Sequence, residues 1–457
     1  MKKKTPNYSA KKKEAIDILC REFKKNNHIE SDLYSTLDVK RGLRNADGTG
    51  VLAGLTLICN VHGYVIDEGE KKPEEGRLIY RGYNIKDIVN DCINTKRFGF
   101  EEVIYLLLFG ELPQKEEIDY FKSVLAMYRE LPDGFVEDVI LRRPSKNIMN
   151  KMQSSLLSLY TYDEYADVIT IEQELRKAIE IIARLSNIMI SAYHAKCKAF
   201  DKESLVIHSI NPEESIAQSI LSTLRLDRKY TIEEAQLLDI MLMLHAEHGG
   251  GNNSTFTCRC LTSTGTDAYS AYAGAIGALK GPKHGGANSK VMSMLNEIQK
   301  GVSDWEDLDE IKAYLGKIID KKAGDGSGLI YGMGHAVYTK SDPRSVILKK
   351  RAMDLAAGTE YEAQFKLIEN IEKLSPHVFS EKKHTKKVIS SNVDMYSGLV
   401  YQMLGIPSEL YTPLFATARI AGWAAHRMEE LLTGRRIIRP AYKSITREIQ
   451  YKPLAER

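Results

Sequence analysis

The chain contains two histidine–glycine clusters, His245-Ala-Glu-His-Gly-Gly-Gly-Asn252 and Gly281-Pro-Lys-His-Gly-Gly-Ala-Asn288. Between them, Thr264–Lys280 is rich in Ala, Gly, Ser and Tyr. Small side chains at helical spacing let another backbone come close, so this piece is predicted to be a tightly packed helix. Glycine at a helix end allows backbone N–H groups to face a ligand. The sequence therefore predicts a buried helix flanked by histidines that can polarise a carbonyl group or hold a carboxylate.

The composition is that of an ordinary globular protein, with 43% hydrophobic, 27% charged and 8% aromatic residues in a chain of 457. This length predicts about two to three domains, or one large domain with a smaller insert. The net charge of +3 arises from the first thirteen residues, which carry six Lys and no acidic residue. The rest of the chain carries −3, which argues against a nucleic-acid partner.

The sequence does not indicate export or membrane insertion. No apolar segment follows the basic N-terminus, so a secretory signal is not expected. No run approaches the roughly 18 apolar residues of a membrane span. The six cysteines are scattered rather than paired in a short scaffold. We expect a cytoplasmic protein without a membrane partner.

The fold class is predicted to be mainly α-helical with a minor N-terminal β element. Val51–Tyr64 and Arg77–Tyr83 have the texture of short strands, and the polar piece Asp67–Arg77 between them is predicted to be a turn. Helical periodicity dominates from Ile85 onward. Helix starts are expected at Asn211-Pro-Glu-Glu and at the capping-box sequence Thr231-Ile-Glu-Glu.

Changes in texture along the chain predict three parts. Residues 1–30 form a basic N-terminal extension. Residues 31–285 and 391–457 form a large helical domain, because both are apolar and rich in small residues. Residues 286–390 carry charged amphipathic helices and are predicted to form a small inserted domain.

Two further motifs place glycine beside ionisable residues: Gly332-Met-Gly-His-Ala-Val-Tyr-Thr-Lys-Ser-Asp-Pro-Arg344 and Ser391-Asn-Val-Asp-Met-Tyr-Ser-Gly398. A carboxylate, neutral imidazoles and arginines together suit proton abstraction next to a carbonyl group. Other interpretations stay open for each residue taken singly. The histidines can be structural, Asp394 can cap a helix, and Arg344 and Arg419 can form surface ion pairs.

The four motifs, in this order and spacing, resemble those of the citrate synthase family, bacterial type. The resemblance extends over about Leu52–Pro440 and includes Gly76-Arg-Leu-Ile-Tyr-Arg-Gly82 and Phe100-Glu-Glu-Val-Ile-Tyr-Leu-Leu-Leu-Phe-Gly-Glu-Leu-Pro113. It implies an almost wholly helical protein whose large and small domains close over a cleft. It also implies the condensation of acetyl-CoA with oxaloacetate and hydrolysis of citryl-CoA to citrate and CoA. Acetyl-CoA is then a substrate, and neither a cofactor nor a metal is expected.

The resemblance implies a role for each matching residue. His284 matches the residue that stabilises the enolate of the thioester, Asp394 the base that removes a methyl proton, and His335 the residue that polarises the oxaloacetate ketone. The matching oxaloacetate ligands are His248, Arg344, Arg419 and Arg439, the last reaching into the neighbouring subunit of an obligate homodimer. The matching CoA contacts are Leu329, Gly332, Gly334, Lys340 and Asn392. His245 has no assigned chemistry and is interpreted as structural.

Three rival functions are weighed against this one. A 2-methylcitrate synthase would run the same chemistry on propionyl-CoA, and one methylene changes binding by only about 1–3 kcal/mol. A non-catalytic CoA-binding scaffold is disfavoured because acid, base and clamp residues are all present. A zinc protein would need His245, His248, Cys258 and Cys260 as ligands, but neither pair has the usual spacing.

Overall fold

The computed structural model describes residues 10–45, 47–67, 70–384 and 389–457, which form two compact units divided after Leu55. The basic residues 1–9 lie outside the described part. In the first unit, helix α1 (Ala10–Asn26) is a surface helix, since its described side chains are exposed. A short helix α2 (Leu33–Thr36) and a single 3₁₀ turn at Arg41–Leu43 follow.

The second unit begins with a small antiparallel sheet in the order β1-β2-β3. Its strands are β1 (Cys59–Asp67), β2 (Glu70–Tyr80) and β3 (Tyr83–Asn84). The predicted β element is confirmed, but the turn predicted over Asp67–Arg77 is too long. Glu70–Arg77 belong to β2, which pairs with β1 from Glu70 onward, and residues 68–69 lie outside the described residues. Backbone pairing overrides the polar composition here, since a strand with one face in water tolerates charged side chains.

The remainder of the second unit is mainly helical, which confirms the predicted fold class. The helices are α3 (Ile85–Asn94), α4 (Phe100–Phe109), α5 (Lys115–Met127), α6 (Ile148–Leu159), α7 (Ile171–Lys196), α8 (Ile216–Leu224), α9 (Ile232–His245), α10 (Asn253–Thr262), α11 (Ala268–Lys280), α12 (Ala287–Gly301), α13 (Leu308–Ile319), α14 (Pro343–Ala356), α15 (Glu362–Lys383), α16 (Asp394–Met403) and α17 (Tyr411–Thr433). No helix among the described residues is long and apolar enough to cross a membrane.

Helix starts follow capping chemistry. The capping box at Thr231 is confirmed: its Oγ1 accepts the Glu234 N–H at 3.2 Å, and the Glu234 carboxylate accepts the Thr231 N–H at 2.8 Å. The start predicted at Asn211 is wrong. That side chain caps a local turn through the N–H of Glu213, and α8 begins only after a second capping box led by Ser215.

The core of the second unit is built on α7, α9, α11 and α17, whose inward faces are buried. The predicted tightly packed helix is α11, which packs against α6 and α10. Helix α17 comes so close to the end of α9 that the N–H of Gly422 donates to Ala246 O at 3.2 Å. A side-chain carbon at Gly422 would lie 2.5 Å from that oxygen, so only glycine fits. This packing sets the first histidine cluster against α17.

The segment 286–390 contains α12 to α15. Helix α13 packs on α15, and α14 packs on α15 and α16. The division of residues 31–457 into a large domain and an inserted small domain at 286–390 stays a prediction.

Candidate active site

A cavity of about 170 Å³ lies where α9, α11, α14, α16 and α17 meet. It contains residues from all four sequence motifs. The predicted site residues that line it are His248, His284, His335, Arg344, Asn392, Asp394 and Arg419. The fold thus assembles one site from positions far apart in the chain.

The first cluster is held by a buried carboxylate that sequence analysis did not single out. Glu247 accepts the Gly249 N–H at 2.5 Å and contacts His426 Nε2 at 3.0 Å. Tyr80 in β2 adds a hydroxyl that donates to Glu247 O at 3.0 Å. These contacts fix the backbone on both sides of His248.

His284 stands just beyond the end of α11. Its backbone N–H donates to Gly281 O at 2.9 Å, which closes a turn. Its ring Nε2 lies 3.1 Å from Ser254 Oγ, and Trp423 Nε1 donates to that same hydroxyl at 3.3 Å. The ring is therefore positioned jointly by α10 and α17.

Which ring nitrogen of His284 carries the proton depends on where the Ser254 hydroxyl donates its own proton. The Ser254 hydroxyl has two possible acceptors, Asn252 Oδ1 at 2.8 Å and His284 Nε2 at 3.1 Å. Donation to the imidazole leaves the ring proton on Nδ1, which can then donate to an oxygen. Burial, aided by the Arg419 charge, lowers the pKa of His284 to about 4, so the ring is neutral at pH 7.

His335 has a tautomer fixed by backbone. Its Nδ1 is the acceptor for the N–H groups of Val337 at 3.0 Å and Tyr338 at 3.1 Å. A nitrogen that accepts in this way carries no proton, so the ring proton lies on Nε2. Burial, and then the Arg344 charge, lower the pKa of His335 to about 4. The residue is thus a neutral donor.

The two arginines that line the cavity differ in the hydrogen-bond partners of their guanidinium groups. Arg344 is buried and donates to both oxygens of buried Asp342, at 3.0 and 2.7 Å. Arg419 is 0% exposed, and its Nε donates to His245 O at 2.6 Å. Its two terminal nitrogens are buried without a hydrogen-bond partner among the described residues. A buried guanidinium left open in this way favours an anionic ligand.

His248 and His245 complete the imidazole group. Burial, reinforced by Arg344, lowers the pKa of His248 well below its usual value, and its buried Nε2 has no partner in the part of the chain that the structure describes. His245 donates from Nδ1 to Met241 O at 2.8 Å, a structural bond, yet it also lines the cavity. Burial lowers the pKa of His245 to about 3.

Asp394 is the first residue of α16 and faces the cavity. The alternative that it caps the helix is wrong, because Asn392 Oδ1 accepts the Asp394 N–H at 3.0 Å and the cap position is Val393. Burial raises the pKa of Asp394 to about 6, although the Arg344 charge acts in the opposite direction. This value suits a base that works near neutral pH.

Asn392 lines the cavity and also contacts the loop that carries Gly332 and Gly334, here called the glycine loop. Its N–H donates to Gly332 O and its Nδ2 donates to Gly334 O, each at 2.9 Å. Gly332 has a φ of +83°, and a side-chain carbon there would lie 3.1 Å from Met395 Cα. The loop can pass this close to α16 only with glycine.

The other predicted residues do not line this cavity. Leu329 is 53% exposed and borders a separate hollow of about 50 Å³ together with Lys290 and Tyr331. Lys340 is exposed on the loop after His335. Arg439 is exposed in the segment that follows α17.

Sequence analysis missed part of the lining. Asn252 and Asn288 both face the cavity, and each follows a cavity histidine by four residues in its own cluster. That shared spacing was a usable signal. No sequence signal identified the apolar walls of the cavity, because bulky residues at helical spacing indicate only a core. The residues that form these walls are Leu279, Val393, Tyr401, Tyr411 and Phe415.

The alternative zinc site is not supported by the geometry. Within residues 10–45, 47–67, 70–384 and 389–457, the only group of three or more potential ligands is Cys197, Asp201 and Glu203. The proposed Cys258 contacts the backbone oxygen of Trp423 inside the core. It therefore does not join His248 in one ligand set.

The arrangement defines what the cavity can do. A carboxylate with a pKa near 6 lies beside neutral imidazoles that can donate to oxygen. An open guanidinium offers two nitrogens to a carboxylate. These are the parts for binding a carboxylic acid and for removing a proton next to a carbonyl group.

Comparisons with known proteins agree with this chemistry. A family model described as "Citrate synthase, C-terminal domain" matches residues 46–441. A citrate synthase of Haloferax volcanii is 34% identical over 92% of this chain and 99% of its own. A 2-methylcitrate synthase 1 of Corynebacterium glutamicum is 32% identical over 93% and 100%. The solved citrate synthase of Thermoplasma acidophilum, in a ternary complex with carboxymethyl coenzyme A and oxaloacetate, shares 26% identity with a TM-score of 0.73, over 92% of this chain and 99% of that one.

Proposed function

Because the chain belongs to the citrate synthase family of acyl-transferring enzymes, we propose that it condenses acetyl-CoA with oxaloacetate and hydrolyses the resulting citryl-CoA to citrate and CoA. One observation carries the proposal. A single cavity holds Asp394, a carboxylate with a pKa near 6, together with the open guanidinium of Arg419 and neutral imidazoles.

In this proposal oxaloacetate binds first to the positive side of the cavity. The free nitrogens of Arg419 take one carboxylate, and Arg344 and His248 complete the binding set. His335 donates its Nε2 proton to the ketone oxygen, because its Nδ1 is already occupied by backbone. The carbonyl carbon thereby becomes more electrophilic.

Asp394 then removes a proton from the acetyl methyl group, and His284 donates from Nδ1 to the developing enolate oxygen. One well-placed donor of this kind contributes about 3–4 kcal/mol to the transition state. This role requires His284 Nε2 to accept the proton of the Ser254 hydroxyl, which lies 3.1 Å away. The enolate carbon attacks the ketone, and water then hydrolyses the thioester.

Closure of the proposed small domain would keep water out until condensation is complete. His284 and Asp394 lie next to the proposed boundaries of residues 286–390, and His335 lies within that segment. The glycine loop that contains Leu329, Gly332 and Gly334, together with Lys340 and Asn392, is the proposed CoA contact. Arg439 is proposed to reach the site of a second subunit in a homodimer.

No cofactor is proposed, because a carboxylate and imidazoles suffice for each proton transfer and acetyl-CoA is itself a substrate. The proposed location is the cytoplasm, in keeping with six free cysteines scattered along the chain. No nucleic acid or membrane is part of this proposal.

The second candidate is 2-methylcitrate synthase activity on propionyl-CoA. It is favoured by a relative with that name at nearly the same identity as the citrate synthase relative, 32% against 34%. Release of free CoA thiol, dependent on oxaloacetate, tests both candidates when kcat/KM is measured for each acyl donor. We expect acetyl-CoA to be preferred; a higher value for propionyl-CoA would select the second candidate, and no release with either would refute the proposal.

The acid limb of the pH profile is expected to report Asp394. The base must be ionised, so kcat/KM should fall about tenfold per pH unit below about pH 6. His284 and His335, with pKa values near 4, stay neutral over that range. The measurement is kcat/KM between pH 4.5 and 8. A flat profile down to pH 5 would contradict the assignment of Asp394 as the base.

A further inference from the structure

Glu372 in α15 lies outside the cavity and collects hydrogen bonds from the segments that carry cavity residues. Ser391 donates to its Oε1. Tyr396 donates to its Oε2 at 2.5 Å, and Lys349 donates to the same oxygen at 2.7 Å. Three donors from the 390–392 segment, α16 and α14 thus converge on one carboxylate of a fourth element.

Two partners of Glu372, Ser391 and Tyr396, are close in the chain to cavity residues. Ser391 precedes Asn392, and Tyr396 is two residues after Asp394 and fully buried. Ser391 Oγ also lies 3.0 Å from Ser345 Oγ. Because the single hydroxyl proton of Ser391 goes to the carboxylate, Ser345 must be the donor in that contact. The network therefore extends to the residue after Arg344.

The Ser391 segment also holds the glycine loop. The backbone of Ser391 bridges to Met333, and the N–H of Gly334 donates to Ser390 O at 2.7 Å. A shift of this segment would therefore move Asn392, Asp394 and the loop together.

We propose that Glu372 is a positioning residue that fixes Asp394 and Asn392 against Arg344 through its contacts with Ser391, Tyr396 and Lys349. This inference rests on the proposed function for its catalytic consequence. Burial raises the pKa of Glu372, but the three donors outweigh burial and leave it below its usual value, so the carboxylate is ionised. Ionised carboxylates only accept hydrogen bonds, which matches three donors and no acceptor.

The test is Glu372→Gln, which keeps the size but turns one oxygen into an amide that faces a donor. We expect kcat to fall by about tenfold or more, because a small displacement of a catalytic group is costly. KM for oxaloacetate should change less than about threefold, since Arg419 is held by His245 O and not through Glu372. The isotope effect with methyl-deuterated acetyl-CoA should rise, because a displaced base slows proton removal. A mere loss of folded enzyme would leave that isotope effect unchanged.

The matched control is Glu369→Gln. Glu369 is one turn earlier in α15 and pairs with the same Lys349 at 3.2 Å, but among the described residues no hydrogen bond joins it to Ser391 or Tyr396. It should keep kcat within about twofold. Tyr396→Phe should act like Glu372→Gln, and the double variant should be less impaired than the product of the two single effects.

Amide hydrogen exchange of residues 389–400 supplies a readout that needs no reaction. Exchange should be faster in Glu372→Gln than in Glu369→Gln. Equal exchange in the two variants, a kcat of Glu372→Gln within twofold of the parent, or an unchanged isotope effect would each overturn the inference. Absence of thiol release in the parent enzyme would instead refute the proposed function, and the exchange result would still decide the position of this segment.

Discussion

Replacing Asp394 by asparagine is expected to lower kcat for condensation by about 10²–10⁴-fold, the usual contribution of a general base. The amide has nearly the same size and leaves the backbone bond to Asn392 in place. The neutral amide of asparagine cannot take a proton from a weakly acidic methyl group. The measurement is release of CoA thiol from acetyl-CoA at saturating oxaloacetate.

The same variant should remain folded, which separates catalysis from stability. Burial raises the pKa of Asp394 to about 6 in the folded chain, above its unfolded value of 3.8. Stability contributed by such a group is present at low pH and lost as pH rises through about 6. At pH 7 to 8 the neutral asparagine should therefore give a Tm no lower than that of the parent. A kcat within tenfold of the parent, with normal Tm, would contradict the assigned role.

Replacing Arg419 by leucine is expected to weaken oxaloacetate binding by about 100-fold or more, because a buried charge pair with the ligand would be lost. Its two terminal nitrogens are the buried donors left open at the cavity. The measurement is titration calorimetry with oxaloacetate alone.

Arg419→Lys serves as the control for charge. Lysine keeps the positive charge but cannot donate in the planar paired geometry of a guanidinium, so an intermediate affinity is expected. Arg344→Leu should also weaken binding, but it leaves Asp342 buried without its partner and should lower Tm as well. Binding of oxaloacetate to Arg419→Leu within threefold of the parent would exclude this arginine as a ligand.

Local signals predicted the helices well. The small-residue piece before the second cluster became α11, and the Thr231 capping box became the start of α9. Errors arose where tertiary pairing overrides local composition. Residues Glu70–Arg77 are polar, yet they belong to β2, which pairs with β1, and the backbone pattern of a strand is not visible in side-chain polarity.

The chemical types at the site were also predictable, but their states were not. The four motifs supply the histidines, the aspartate and the arginines of one cavity. Sequence alone could not distinguish Arg344, paired with Asp342, from Arg419, which is open. Nor could it indicate Glu372, because a glutamate in a charged helix resembles any solvated residue until Ser391 and Tyr396 are found against it.

The most direct test of the roles of Asp394 and His284 is a crystal structure of this chain with oxaloacetate and carboxymethyl coenzyme A, in which the carboxymethyl group stands in for the acyl group of acetyl-CoA. We predict that this group lies between the Asp394 carboxylate and the His284 ring, within about 3 Å of each, with an oxaloacetate carboxylate on Arg419. A bound acyl analogue that contacts only one of these two residues would contradict it.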